Sequence, residues 1–277
     1  MKALYDEISF KTSKLVTQRY STSFSMGIRL FKKPIRMPIY SIYGFVRLGD
    51  EIVDTFHEYD KKELFERFKK DVYLALDERI SLNPVLNSFQ QTVHKYGIRR
   101  EHIDLFLRSM EMDLEEREYD RQGFETYILG SAEVVGLMCL HIFCNGDDEL
   151  YKRLKPYAMS LGSAYQKINF LRDLSDDYQS LGRTYFPNLS MDYFNENTKQ
   201  CLIEDIKKDF QHAYQGIKLL PRNARFGVFL SYVYYYSLLR KIMHASATKL
   251  MNERIRLPNS QKYAMLFTSA IRYKLTM

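Results

Sequence analysis

The seventy-one residues between Pro84 and Pro156 contain no proline, which is the longest such interval in the chain. Apolar residues recur there at i, i+3 and i+4, as in IDLFLRSMEMDLEERE, and this spacing is typical of an amphipathic helix. The same spacing continues through most of the 277 residues. It predicts helices at 4–19, 35–56, 61–80, 84–96, 99–118, 122–145, 148–177, 196–219, 223–252 and 259–275.

No alternation of strand and helix patterns is visible, so a parallel α/β sheet is not expected. No linker rich in Gly, Ser or Pro divides the chain. The sequence therefore predicts an all-α fold, and residues 1–277 are expected to form a single domain, large enough to bury an extensive core.

The net charge of +7 is unevenly distributed, because residues 218–277 hold eleven Lys/Arg and one acid, Glu253. A basic segment favours anionic partners: nucleic acid, a membrane surface or small anions. No nucleic-acid-binding module is recognisable, so a nucleic-acid partner is not expected. Three cysteines cannot form a disulfide framework, and the N-terminus lacks a signal-peptide core. The expected location is the cytoplasm, with peripheral contact at the inner membrane surface left open.

Two apolar stretches are candidates for membrane insertion. Residues 226–239 are too few to cross a bilayer as a helix. Residues 126–146 are long enough, but Glu133 lies near their centre, at a cost of a few kcal/mol in lipid. Both are expected to be buried helices, and no membrane anchor is predicted.

Two polar stripes interrupt the apolar pattern. Tyr43, Arg47, Asp50 and Asp54 are spaced at i, i+4, i+7 and i+11, so they share one helix face. A second stripe, spaced at i, i+3, i+7 and i+11, also shares one helix face and ends in two aspartates one turn apart. It consists of Gln166, Asn169, Asp173 and Asp177.

Carboxylates one turn apart repel each other unless solvent or a cation lies between them. Mg²⁺ binds a few carboxylate oxygens and completes its shell with water and phosphate oxygens. Two facing helices that each carry such a pair would form a divalent-metal site for a diphosphate inside a bundle. The alternative for each pair alone is a solvated acidic face.

Four blocks of the sequence resemble the squalene/phytoene synthases. They are YSTSFSMGIRLF (20–31), YGFVRLGDEIVDTF (43–56), MEMDLEEREYDRQGFETYILGSAEVVGLMCL (110–140) and LGSAYQKINFLRDLSDDYQSLGRTYFP (161–187). The resemblance implies a single all-α bundle with a central cavity, in which aspartates bind Mg²⁺, or Mn²⁺ in its place, and the metal holds two prenyl diphosphates. Among family members, the chain most resembles bacterial phytoene synthases.

The resemblance also implies roles for individual residues. Asp50, Asp54, Asp173 and Asp177 would be the metal ligands, and Tyr43 and Arg47 would complete the catalytic set. The remaining positions would bind substrate: Phe24 and Tyr127 along the prenyl channel, Gln166, Asn169 and Arg172 near diphosphate, Tyr235 at the cavity, and Arg254 and Lys262 on diphosphate. Two positions depart from the family pattern. Thr22 replaces a common basic residue, and Glu133 replaces a common glycine and would need a partner if buried.

The expected reaction joins two geranylgeranyl diphosphates head to head, through a cyclopropylcarbinyl diphosphate, to give phytoene. The alternative is formation of squalene, dehydrosqualene or hydroxysqualene from farnesyl diphosphate. Squalene formation would require NADPH, whereas phytoene formation would not. Two hypotheses belong to other functional classes. A catalytically inactive scaffold would have no need of the intact aspartate pairs. A metal-storage protein would need EF-hand loops or Glu-x-x-His pairs, and the sequence contains neither.

Overall fold

The computed structural model describes residues 1–115, 119–176, 185–187 and 194–276. Helices account for most of these residues, and no strand occurs among them. The helices are α1 (Lys2–Tyr20), α2 (Thr22–Arg29), α3 (Lys33–Asp54), α4 (Lys61–Glu78), α5 (Pro84–Tyr96), α6 (Arg100–Glu115), α7 (Arg121–Ile128), α8 (Val134–Cys144), α9 (Asp148–Asp176), α10 (Glu196–Leu219), α11 (Arg225–His244), α12 (Ala247–Asn252) and α13 (Asn259–Thr276). The predicted all-α class is confirmed.

Three local features differ from the predicted helices. Ser21 leaves the helical conformation and its hydroxyl accepts from the backbone N–H of Phe24, so a separate helix α2 begins after α1. A π-helical turn, Leu129–Glu133, joins α7 to α8. Ser246 caps α12 through the N–H of Lys249, so the helix predicted over 223–252 is broken after His244.

The core consists of two apolar clusters on either side of a central cavity. The first is built mainly from α3 to α6 and α8, and in it Phe45 stacks on Phe89 at 3.9 Å between ring centroids. The second is built mainly from α7 and α9 to α12, and in it Phe170 stacks on Tyr185 at 4.1 Å. The long helix α9 contributes to both clusters, and its middle part lines the cavity between them.

Helix α1 buries polar rather than apolar side chains. Ser9, Ser13 and Thr17 are fully buried, and the hydroxyls of Ser13 and Ser88 lie 2.7 Å apart across α1 and α5. A Cβ on Gly44 of α3 would lie 2.9 Å from the Ser13 hydroxyl, so the small residue permits this close approach. Small polar side chains therefore fix α1 against α3 and α5.

One helical run among the described residues, Arg121–Cys144, is long and apolar enough to cross a membrane by length and composition. Its most apolar window is 61 % buried inside the fold. Val134, Leu137 and Met138 belong to the first core cluster. The run is therefore packed as a core helix, as the sequence predicts.

Candidate active site

A cavity of about 720 Å³ lies between the two core clusters. Every site residue predicted from the sequence lines it, except Asp177, which lies outside the described residues. Residues from α2, α3, α9 and α11 and from the segment before α13 thus converge from distant parts of the chain. Thr22, in contrast, is exposed and does not line the cavity.

The polar stripe of α3 lies at one end of this cavity. The Arg47 guanidinium pairs with Glu51 and lies 4.3 Å from the centroid of the Tyr20 ring. Its Nε is buried and has no hydrogen-bond partner among the described residues. A buried cationic donor without an acceptor is suited to bind an anionic ligand.

Burial raises the pKa of Asp50 to about 8, and the nearby carboxylates of Asp54 and Asp113 add to the effect, while Arg47 opposes it. The stripe therefore gathers more negative charge than its single arginine offsets. A divalent cation would relieve this repulsion, because it stabilises ionised carboxylates.

Asp113 of α6 is a cavity residue that the sequence analysis did not identify. Its side chain is buried and accepts hydrogen bonds from the hydroxyls of Tyr127, at 2.7 Å, and Tyr185, at 3.4 Å. Burial raises the pKa of Tyr127 well above its ordinary value, with the Asp113 charge as the next cause. Asp113 lies in the MEMD sequence of the third block that resembles the family, and this position was the sequence feature that could have identified it as a site residue.

The polar stripe of α9 faces the same cavity. The Asn169 amide oxygen accepts from the Tyr235 hydroxyl at 3.4 Å, and its amide nitrogen donates to Gln166. Asp173 accepts from Arg172 Nε at 2.8 Å and pairs with Arg254 Nε at 2.7 Å. The ion pair places Arg254, which lies outside α9, at the aspartate motif, whereas the resemblance implied a contact with diphosphate.

Aromatic rings form much of the remaining wall. Phe24 contacts Tyr43 at 5.6 Å and Tyr235 at 6.3 Å between centroids, and Tyr235 stacks on Tyr165 at 3.8 Å. The Lys262 ammonium lies 5.7 Å from the centroid of Tyr234. The faces of such rings can stabilise a carbocation as they stabilise other cations.

The cavity is apolar where it meets Phe31 and Phe143, whose rings lie edge to face at 5.3 Å. Gly227 of α11 permits this arrangement, because a Cβ there would lie 2.2 Å from Phe31 Cε1. Gly216 of α10 similarly makes room for the Tyr157 ring. Two glycines thus let aromatic rings lie against helix backbone and shape the apolar end.

Glu133 does not line the cavity but lies in the π-helical turn behind it. Burial raises the pKa of its carboxyl to about 7, the Asp209 charge adds to this, and Lys167 opposes it. Lys167 itself donates to Asp209 at 2.8 Å. Lys167 is thus the cation that favours the Glu133 carboxylate, but its ammonium donates to Asp209 and its charge does not offset the burial of Glu133.

Among the described residues, no group of three or more His, Cys, Asp or Glu side chains is arranged to hold a metal ion. Asp177, one of the four predicted ligands, lies outside these residues, and Asp173 is engaged by two arginines. The carboxylate oxygens of Asp50 and Asp54 nevertheless suit Mg²⁺ chemically, and their mutual repulsion fits a cation between them.

The sequence and the fold resemble those of known proteins. The model of the squalene/phytoene synthase family matches residues 17–261. A presqualene diphosphate synthase of Rhodopseudomonas palustris is 25 % identical, with 90 % of this chain and 93 % of the relative covered. A 15-cis-phytoene synthase of Synechocystis is also 25 % identical, with 94 % and 84 % covered.

Solved structures share the architecture. A dehydrosqualene synthase in complex with a ligand superposes with a TM-score of 0.82 at 19 % identity, covering 97 % of this chain and 98 % of that one. A squalene synthase from Alicyclobacillus acidocaldarius superposes with a TM-score of 0.75 at 20 % identity, covering 90 % and 97 %. The family match spans most of the chain. The solved structures share the helical bundle described above. The chain therefore belongs to the squalene/phytoene synthase family, whose members are prenyltransferases that join prenyl diphosphates head to head.

Proposed function

We propose that the protein condenses two molecules of geranylgeranyl diphosphate head to head to phytoene, with release of diphosphate, in the first step of carotenoid formation. The observation that carries the proposal is the convergence of the α3 and α9 aspartate stripes on one cavity with an apolar end. The second candidate is condensation of farnesyl diphosphate, because a relative of equal identity is named a presqualene diphosphate synthase.

Binding of the diphosphates is assigned to the cationic groups at the polar end of the cavity. Arg47 offers its unpaired Nε, and Lys262 reaches the cavity from α13. Arg172 and Arg254 already surround Asp173, and they can turn toward a diphosphate that takes the place of its carboxylate. These fixed charges would stabilise the negative charge that develops on the leaving diphosphate.

Mg²⁺, or Mn²⁺ in its place, is proposed to bind Asp50, Asp54 and Asp173, with Asp177 as the fourth predicted ligand. When bound, the metal would neutralise diphosphate oxygens and so assist their departure. Asp50 lies on the partly buried face of α3, which fixes its position in the cavity wall. The hydrogen bond from the Tyr127 hydroxyl to Asp113 fixes the orientation of the Tyr127 ring.

The reaction is proposed to pass through two ionisations. Loss of diphosphate from one substrate gives an allylic cation, the double bond of the second substrate attacks it, and loss of a proton closes a cyclopropylcarbinyl diphosphate. This compound loses its own diphosphate, rearranges and loses a further proton to give the conjugated triene. The aromatic wall around Phe24, Tyr165 and Tyr235 would shield each cation from water.

The test incubates the purified protein with Mg²⁺ and either geranylgeranyl or farnesyl diphosphate, without NADPH, and identifies the extracted hydrocarbons. Phytoene from the longer substrate, abolished by EDTA, is the expected result. Activity on farnesyl diphosphate alone would refute the proposed substrate and favour the second candidate.

A matched pair of variants tests the site. Asp54→Ala removes a carboxylate from the cavity and should lower turnover by several orders of magnitude, since it removes a ligand for the charge-neutralising metal. Asp77→Ala removes an exposed carboxylate of α4 that pairs with Arg100, and it should leave turnover unchanged. Equal turnover of the two variants would reject the assignment of the α3 stripe.

A further inference from the structure

Helix α13 exposes two large apolar side chains on its outer face. Phe267 and Ile271, one turn apart, are 77 % and 54 % exposed. Gln261, Ala264 and Thr268 are also exposed on this helix, and none of them is ionisable. The α13 outer face, defined by Phe267 and Ile271 with these neighbours, therefore presents apolar surface to its surroundings.

A group of cationic side chains lies beside one end of α13. The first segment joins α2 to α3 and carries Arg29, Lys32 and Lys33. The second leads into the first residue of α11 and carries Arg222 and Arg225. The backbone N–H of Lys32 donates to the carbonyl of Asn223 at 3.0 Å, which joins the two segments. Arg29, Lys32, Lys33 and Arg222 are exposed, and none of the five forms an ion pair within the part of the chain that the structure describes.

The two chain segments that form this basic cluster contain no acidic residue. The sequence contains no Asp or Glu between Glu7 and Asp50, or between Asp209 and Glu253. Both segments that form the cluster lie within these acid-free stretches. The two segments therefore contribute positive charge and no negative charge of their own to this end of the molecule.

The α13 outer face and the basic cluster are neighbours. The Tyr273 ring, near the end of α13, contacts Phe226 at 5.0 Å and Phe229 at 5.9 Å, so this end packs on the first turns of α11. Arg225 immediately precedes Phe226. The two features together form one docking surface, apolar along α13 and cationic at its end.

We propose that this docking surface binds a bilayer that contains anionic lipid. Apolar side chains enter the interface between headgroups and acyl chains, while nearby Lys and Arg side chains are attracted to anionic headgroups. A second copy of the chain fits less well, because the same surface of the copy would bring further positive charge and no acid to complement the basic cluster. The opposite side of α13 lines the cavity with Lys262 and Met265, so the wall that faces lipid is also a wall of the cavity.

The first experiment measures sedimentation of the full chain with vesicles. Vesicles of equal parts phosphatidylcholine and phosphatidylglycerol should bind the protein at low salt, and phosphatidylcholine alone should bind at least about tenfold less. High salt should weaken binding to the anionic vesicles, since it screens the charge attraction. Equal binding to both vesicle types, or no binding to either, would overturn the proposal.

Two pairs of variants locate the surface. Lys32→Glu with Lys33→Glu should reduce binding to anionic vesicles at least about tenfold. Lys62→Glu with Lys70→Glu makes the same change in charge on the exposed face of α4 and should reduce binding less. An equal loss in both variants would show that net charge alone drives binding, which would contradict a local surface.

The apolar part has its own matched control. Phe267→Ser with Ile271→Ser should reduce binding at least about tenfold. Leu74→Ser with Leu82→Ser changes side chains that are 43 % and 95 % exposed elsewhere, and it should leave binding unchanged. Circular dichroism verifies folding of each variant. A concentration-dependent dimer that Phe267→Ser abolishes, together with unchanged vesicle binding, would overturn the proposal in favour of self-association.

Discussion

The close contact between Gly227 and Phe31 allows a quantitative test of how the apolar end of the cavity is shaped. In Gly227→Ala, the new Cβ would lie 2.2 Å from Phe31 Cε1 and 2.4 Å from Cδ1, closer than van der Waals contact permits. Gly27→Ala is the matched control, because its Cβ would meet nothing nearer than the Gly227 carbonyl oxygen at 3.9 Å. Both glycines lie in helices, α2 and α11.

Replacement of a helical glycine by alanine stabilises the folded state by about 0.5–1 kcal/mol where there is room for the methyl group. This gain is common to both variants, so the difference between them isolates the clash. Overpacking of this kind costs about 1–3 kcal/mol. At about 2–4 °C per kcal/mol for a chain of this size, Gly227→Ala should melt roughly 2–12 °C below Gly27→Ala.

The assay is thermal unfolding followed by circular dichroism, with Phe31→Leu added in a double-mutant cycle. The smaller side chain should recover part of the stability lost in Gly227→Ala, because it removes the atoms that clash. Phe31 also lines the cavity, so its displacement should lower turnover of geranylgeranyl diphosphate more than that of farnesyl diphosphate. Equal melting temperatures for Gly227→Ala and Gly27→Ala would refute this reasoning.

Three further predictions concern buried carboxyls. Because the pKa of Asp50 is raised to about 8, the free energy of unfolding should fall as pH rises from about 4 through 8. Asp50→Asn should flatten this decline, measured by urea unfolding in the presence of EDTA. Asp113→Leu leaves the Tyr127 hydroxyl without its acceptor and should lower the free energy of unfolding by about 1–3 kcal/mol. Asp113→Asn retains an acceptor for this hydroxyl and should lower it less. At pH values above about 7, the pKa of Glu133, Glu133→Gln should raise the free energy of unfolding. It should leave turnover unchanged, because Glu133 lies outside the cavity, and a large loss of turnover would contradict that placement.

Most of the helices could be predicted from the sequence, because helical hydrogen bonds are local and the apolar spacing repeats within each segment. The aspartate stripes were visible for the same reason, since residues spaced three or four apart share a face in any straight helix. The resemblance implied that the stripes face one cavity, and the stripe residues that the structure describes, on α3 and α9, line a single cavity.

Other features depended on contacts between distant segments. Helix α1 buries Ser9 and Ser13 because α3 and α5 offer close polar partners there, which its own pattern does not reveal. Asp113 was missed because a single carboxylate in an amphipathic helix normally faces solvent. Only the packing of α6 against the tyrosines shows that this one is buried.

The sequence by itself determined the all-α class, the family and the residues that carry charge on α3 and α9. The tertiary structure decided which side chains meet: Arg254 with Asp173, Lys167 with Asp209, and Phe31 with the bare backbone of Gly227. The physical reason is the range of the interactions. Backbone hydrogen bonds and helical faces are set within a few residues, whereas burial, charge pairing and the shape of a cavity arise only when helices far apart in the chain pack together.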